Sequence, residues 1–160
     1  MKVYLDSSAI VKRYVSEPGS STVDYVFDRG WIGDVSIAIS IWNIGEVLGV
    51  LSERRRRKWF SEEEFMKVFE NFAGETVRLL RLKVLEVIPL STSILIEAWP
   101  LILKDHIYEA DAIQIQSCIY SNSNVLLSGD EKLIEIALKT GLNAVNVKDE
   151  DKVKELVERN

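Results

Sequence analysis

Short apolar, β-branched runs alternate with helix-periodic segments along this whole chain, and no other feature narrows its fold as much. Lys2–Leu5, Val35–Ile39, Leu85–Ile88, Asn124–Leu127 and Ala144–Val147 carry the strand pattern. Ser8–Val15, Thr22–Arg29, Ile41–Lys58, Ser61–Arg81, Ser91–Leu103, Tyr108–Tyr120 and Glu131–Thr140 carry helical periodicity, and Lys148–Asn160 reads as a charged, partly exposed helix. Each interval between strands is long enough for a crossover, so the pattern predicts an α/β protein: three layers, α/β/α, around a mostly parallel sheet. Pro18-Gly19 separates the first two helices, Pro89 ends a strand, and Gly141 suits a helix C-terminus. With 160 residues, 47% of them hydrophobic, and no repeat or linker, the expectation is one domain over 1–160. It includes a helical region at about 53–82.

Four acidic residues stand where hydration is scarce. Asp6 ends the run Val3-Tyr4-Leu5, Asp130 follows Val125-Leu126-Leu127, and Glu46 and Asp111 lie inside apolar helical segments. A carboxylate there needs a cation, a donor or a proton. In an open parallel sheet, chemistry gathers outside the carboxyl ends of the strands. Asp6 and Asp130 fall at two such ends, Glu46 falls early in the next helix after Val35–Ile39, and Asp111 falls in the first turn after Tyr108, so all four can reach one edge. Each has a plainer use as well: Asp6 and Asp130 as helix N-caps, Glu46 and Asp111 as solvated carboxylates. Four carboxylates converging at about 4–6 Å without a cation would repel by several kcal/mol. Together they point to a divalent ion. Oxygen-only donors with no His or Cys cluster favour Mg²⁺ or Mn²⁺ over zinc.

Order and spacing of these acids resemble the PIN-domain family, and within it the VapC-type toxins. Val3-Tyr4-Leu5-Asp6-Ser7-Ser8 resembles the family's opening strand, with Glu17-Pro18-Gly19-Ser20 as a familiar continuation. Ser40-Ile41-Trp42-Asn43-Ile44-Gly45-Glu46 resembles the helix with the second acid, in a loosely matched form. Tyr108-Glu109-Ala110-Asp111-Ala112 resembles the third acidic motif, and Leu127-Ser128-Gly129-Asp130 the closing one. The resemblance implies an RNA endonuclease in which Asp6, Glu46, Asp111 and Asp130 are catalytic and hold one or two Mg²⁺ or Mn²⁺ ions. Water would be the nucleophile, leaving 5′-phosphate and 3′-hydroxyl ends. Ser7 and Ser128 would orient the carboxylates. The toxin resemblance further implies neutralisation by a small antitoxin that places Arg or Lys near Asp6 and Asp111. The same acids would serve a PIN-domain nuclease of RNA maturation or decay, and would also fit a catalytically inactive PIN-fold binding protein.

The remaining features bound the partners. A net charge of −5 argues against bulk electrostatic binding of nucleic acid, so any RNA contact is local. Arg54-Arg55-Arg56-Arg57-Lys58 is the candidate, with a solvated helix end as the competing reading. Trp42, Trp59 and Trp99 could stack on bases, whereas the helically spaced Phe65, Phe69 and Phe72 read as packing. The region 53–82 exceeds what sheet coverage requires and is expected to pair two copies as a homodimer. His106 reads as a loop residue, Cys118 as core, and Glu62-Glu63-Glu64 as an acidic first turn. No stretch approaches the ~20 apolar residues of a membrane span, so a soluble cytoplasmic protein is expected. A haloacid-dehalogenase-type phosphotransferase would need Asp where Ser8 stands, and a receiver-type module would need an acid at Ile39-Ser40-Ile41.

Overall fold

Val3, Tyr4 and Leu5 are all wholly buried, as are Val125 to Ser128. A strand hidden on both faces belongs in the middle of a parallel sheet. The structure, a computed structural model describing residues 1–159, places both runs there. Its elements in chain order are β1 (Lys2–Leu5), α1 (Ser7–Tyr14), α2 (Ser20–Trp31), β2 (Ser36–Ser40), α3 (Ile41–Arg56), α4 (Glu62–Arg81) and β3 (Leu85–Ile88). There follow α5 (Thr92–Asp105), α6 (Glu109–Tyr120), β4 (Val125–Ser128), α7 (Glu131–Lys139), β5 (Ala144–Asn146) and α8 (Glu150–Glu158). All ladders are parallel, in the order β3-β2-β1-β4-β5.

Alternation along the strands sorts the core onto two faces. Val3, Leu5, Ile37 and Leu127 pack with Ile10, Val26, Val47, Leu51, Leu79 and Val153, so α1 to α4 and α8 cover one side. Tyr4, Ala38, Leu126 and Ala144 pack with Ala98, Ala112, Ile115, Cys118 and Leu133, so α5 to α7 cover the other. The three-layer expectation holds, and Cys118 is a buried core residue. Chain order reverses at β1: β2 and β3 lie on one flank, β4 and β5 on the other. That reversal opens a crevice at the carboxyl ends of β1 and β4.

Two strands sit one residue later than the apolar pattern suggests. β2 ends at Ser40, whose backbone pairs with Ile88, and β4 ends at Ser128, paired with Asn146. Ladder hydrogen bonds belong to the backbone, so these hydroxyl residues stay in the sheet although their side chains read as loop. Ser40 also caps α3 in a reciprocal box with Asn43, and Ser61 does the same for α4 with Glu64. Of the phenylalanine stripe, Phe72 is buried edge-on against Tyr14, while Phe65 and Phe69 stack on each other toward the surface. α8 ends at Glu158, and the expected helix extends to Asn160, which lies outside the described residues. No helix among the described residues is long and apolar enough to cross a membrane.

Two glycines separate conformational strain from steric contact. Gly19 and Gly33 both hold positive φ, at 95° and 87°. A Cβ on Gly19 would lie 2.9 Å from Val147 Cγ2 and 3.0 Å from its carbonyl oxygen, whereas one on Gly33 would meet nothing within 4 Å. Gly33→Ala is expected to cost about 1–2 kcal/mol, the left-handed penalty alone. Gly19→Ala should cost clearly more in the same urea titration. Equal losses would show that the α1–α2 turn does not depend on close approach to the end of β5.

Candidate active site

Asp6 follows β1 directly, and its position as N-cap of α1 aims the carboxylate into the crevice. Oδ1 accepts from Ala9 N at 2.7 Å, Ser128 Oγ donates to Oδ2 at 2.7 Å, and Ser8 Oγ lies 2.8 and 2.9 Å from the two oxygens. Asp130 caps α7 by accepting from Lys132 N and Leu133 N at 2.8 and 3.2 Å, while its own N–H donates to Ser128 Oγ at 2.8 Å. Both aspartates are helix caps and cleft residues at once, so the two sequence readings coincide. Glu46 projects from the second turn of α3. Its Oε2 accepts a short hydrogen bond from Ser7 Oγ and one of 2.8 Å from Gln114 Nε2. Asp111, half-buried in the first turn of α6, has no hydrogen-bond partner among the described residues.

These four acids, together with Ser7, Ser8, Gln114 and Leu133, line one cleft of about 170 Å³. They come from four separate elements or element ends. Burial raises the Asp6 carboxyl to about 6 despite its hydrogen bonds from Ser128, Ala9 and Ser8, and the charge of Asp130 pushes in the same direction. Asp111 is raised first by burial, then by the charges of Asp130 and Glu46, with Lys132 partly offsetting them. The cleft is therefore an oxygen-rich site with excess negative charge.

That chemistry fits a hard divalent cation in donor type and charge. Side-chain positions do not yet converge: among the described residues no three acidic, His or Cys groups are arranged to hold one ion. The reason is visible in the hydrogen bonds. Asp6 is turned to its serines, Glu46 to Ser7 and Gln114, and Asp130 to its own helix. What a cation would relieve is the unbalanced charge of the cleft.

Ser7 Oγ donates to Glu46 and Ser128 Oγ to Asp6. Ser8, Asn43, Gln114 and Tyr4 were not expected. Gln114 Oε1 accepts from Tyr4 Oη at 2.7 Å and Asn43 Nδ2 at 2.9 Å, and Asn43 Nδ2 also donates to Ser7 Oγ at 2.8 Å. A signal existed: Asn43 precedes Glu46 by three residues and Gln114 follows Asp111 by three, the helical spacing that puts side chains on one face.

The basic run lies outside the acid cleft, at the far end of α3. Arg54 pairs with Glu17, Arg55 with Glu62 at 2.8 Å, and Arg56 and Arg57 both with Glu53 at 2.5 and 2.6 Å. Lys58 forms no ion pair among the described residues. His106 is an exposed helix C-cap in the left-handed region, φ 53°.

A family model described as PIN domain matches residues 3–139. No curated protein matches the chain by sequence. Among solved structures, the chain is similar to FitAcB from Neisseria gonorrhoeae at 13% identity and TM-score 0.66, covering 92% of this chain and 99% of that one. It is similar to PAE2754 from Pyrobaculum aerophilum at 16% identity and TM-score 0.63, covering 99% and 94%. VapC20 from Mycobacterium tuberculosis, described as a sarcin-ricin loop cleaving toxin, is similar at 14% identity and TM-score 0.58, covering 84% and 94%. At these identities the likeness is one of fold.

The raised Asp6 carboxyl sets a pH dependence for the metal-free protein. Its folded value of about 6 exceeds the ordinary 3.8, so its contribution to stability is full below 3.8 and is lost as pH rises through 6. A shift of roughly two units corresponds to about 3 kcal/mol. Asp6→Asn cannot ionise, and any fixed cost of exchanging an acceptor for an amide does not vary with pH. In chelator, the stability of Asp6→Asn relative to wild type should therefore rise by about 2–3 kcal/mol between pH 4 and 7 in urea titrations. A difference that stays flat over that range would mean the buried carboxylate is not strained.

Proposed function

The chain belongs to the PIN-domain family, and on that premise we propose that it is a metal-dependent endoribonuclease whose catalytic and metal-binding residues are Asp6, Glu46, Asp111 and Asp130. The observation that carries this reading is their meeting in one cleft at the carboxyl ends of β1 and β4. Mg²⁺ or Mn²⁺ is the ion this donor set favours. When bound, it supplies positive charge to the phosphoryl oxygens and makes a water acidic enough to attack near neutral pH.

The chain's own residues do the rest. Ser8 and Ser128 hold Asp6 as an ionised ligand by donating to its oxygens, and Ser7 and Gln114 fix one oxygen of Glu46. Asp111 is the one of the four acids whose carboxylate has no hydrogen bond among the described residues, available to an ion or to a water beside the phosphate. Lys132, at the start of α7, already interacts with Asp111 and offers a cation at the rim of the cleft. Arg54 to Lys58 lie further along α3, where their role is to receive the RNA strand rather than to act on its phosphate.

The same reading makes the protein the toxin of a toxin–antitoxin pair, supported by the shared fold with VapC20. A small antitoxin would place Arg or Lys against Asp6 and Asp111, meeting the same unbalanced charge that a metal ion meets. Self-association through 53–82 is part of this proposal. Met66, Phe69, Val77 and Leu80 leave an apolar surface on α4 that a second copy would cover.

Cleavage of single-stranded RNA is expected to require Mg²⁺ or Mn²⁺ and to stop in chelator. Asp111→Asn keeps the volume, removes the charge, and should lower the rate by more than the ten- to hundredfold that loss of an outer-shell partner costs. Comparable metal-supported turnover by a folded Asp111→Asn protein would sink the catalytic assignment. Expression of the chain alone should slow growth, with co-expression of the adjacent small gene restoring it. Normal growth alongside RNA cleavage in vitro would instead favour an RNA-processing nuclease outside a toxin system.

A further inference from the structure

α3 links the acid cleft to a second feature that the catalytic reading leaves unused. A groove of about 490 Å³ runs along its outer face from Glu46 past Gly49 and Val50 to Arg54, Arg57 and Trp59. Glu46 lines both this groove and the acid cleft, so the two adjoin at its side chain. Gly49 contributes no side chain, and space above it is open.

Trp59 closes the far end with 60% of its surface exposed, yet its position is fixed. Lys58 turns the chain with φ 60°, Lys58 N donates to Arg55 O and Trp59 N to Arg54 O, both at 2.9 Å. This is the paired closure of a helix C-terminus that normally uses glycine, and it directs Trp59 back over Arg54. The Arg54 and Arg57 guanidinium carbons stand 5.8 and 5.3 Å from the indole ring centroid. Both groups are also engaged by carboxylates, Arg54 by Glu17 and Arg57 by Glu53, which leaves them better suited to hold a ring in place than to fork onto a phosphate. The patch keeps more cations than carboxylates: Lys12, Arg54, Arg55, Arg56 and Arg57 share Glu17, Glu53 and Glu62, and Lys58 forms no ion pair among the described residues.

We propose that Trp59, 60% exposed and in contact with Arg54 and Arg57, is a stacking platform for one unpaired base of the RNA strand whose phosphate reaches the acid cleft. This rests on the endoribonuclease reading and adds a substrate preference to it. The eleven steps from Glu46 to Arg57 span about 16 Å at 1.5 Å each, so the stacked base lies a few nucleotides from the cleaved phosphate. Stacking uses the face that every base presents, so the platform selects single strands over duplexes without dictating a base.

The test uses full-length Asp111→Asn protein, to stop cleavage, and a fluorescently labelled single-stranded RNA oligonucleotide. Adding Trp59→Ala should weaken binding about tenfold to a hundredfold, the range of one base–aromatic stack, while Trp59→Phe retains most of the affinity. Abasic substitutions walked along the RNA should cost affinity at one position, and that loss should vanish in Trp59→Ala. The salt dependence should be the same with and without Trp59, because no phosphate contact is lost. An unchanged thermal midpoint checks the fold. The proposal is overturned if Trp59→Ala binds RNA as its parent does, or if the abasic loss persists without the indole. It is also overturned if Trp59→Ala spares RNA binding but abolishes co-purification of the adjacent gene's product, which would assign the groove to a protein partner. A wild type that binds through Trp59 but never cleaves would refute the nuclease reading and leave the platform standing.

Discussion

The carboxylate of Asp6, 4% exposed at the end of the central strand, is the constraint around which the cleft is organised. Burial favours its protonated form, and three donors oppose that: Ala9 N, Ser8 Oγ and Ser128 Oγ. The same hydroxyls tie neighbouring loops together. Ser128 Oγ accepts from Asp130 N, and Ser8 Oγ accepts from Gly129 N at 2.7 Å. The ends of β1 and β4 are thus joined through one carboxylate and two serines, beyond the ladder that pairs Leu5 with Leu127. Position in the sheet explains why this happens here. β1 and β4 adjoin at the point where chain order reverses, so their following loops diverge and leave room above the strands.

Strand and helix content was legible because both faces of this sheet are covered. Continuous apolar runs such as Val3-Tyr4-Leu5 leave little choice of environment. Boundaries are less legible where a polar side chain ends a strand: Ser40 and Ser128 are strand residues by backbone and polar residues by side chain. The acids were legible for the complementary reason, as charges in apolar settings. Less visible was the fate of the basic run. Its arginines read as a free cationic patch, but Arg54 finds Glu17 and Arg55 finds Glu62, partners brought in by the packing of other segments. A pattern confined to neighbouring positions cannot show a partner contributed by another element.

The neutral residues of the site were the least legible, because an amide in an apolar helix carries no charge to betray it. Their arrangement leaves little freedom. Gln114 Oε1 receives two donors, Tyr4 Oη and Asn43 Nδ2, so its amide nitrogen must face the other way, toward Glu46. Burial pushes the Tyr4 phenol upward, which keeps it a donor. Asn43 is fixed in turn, since its oxygen accepts from Ser40 N at 2.6 Å as part of the α3 cap. A chain of hydrogen bonds therefore runs from the β2–α3 junction, under the sheet edge, to a carboxylate lining the cleft.

Such a network is tolerable in a core only if nearly every group in it is satisfied, since one lost partner leaves a buried dipole costing about 1–3 kcal/mol. An apolar residue at 114 would leave Tyr4 Oη with only the 3.3 Å contact to Asn43 Oδ1, and would free Glu46 on its inner side. The fold thus couples two requirements. The same side chains that satisfy the core hold Glu46 by Oε2, which leaves Oε1 without a hydrogen bond among the described residues. Asp6 is handled in the opposite way, with every nearby donor turned onto it. Between them, half-buried Asp111 has no hydrogen-bond donor among the described residues and bears the charges of Asp130 and Glu46. The four acids are thus satisfied unequally, with hydrogen bonds to Asp6, Glu46 and Asp130 and none among the described residues to the Asp111 carboxylate.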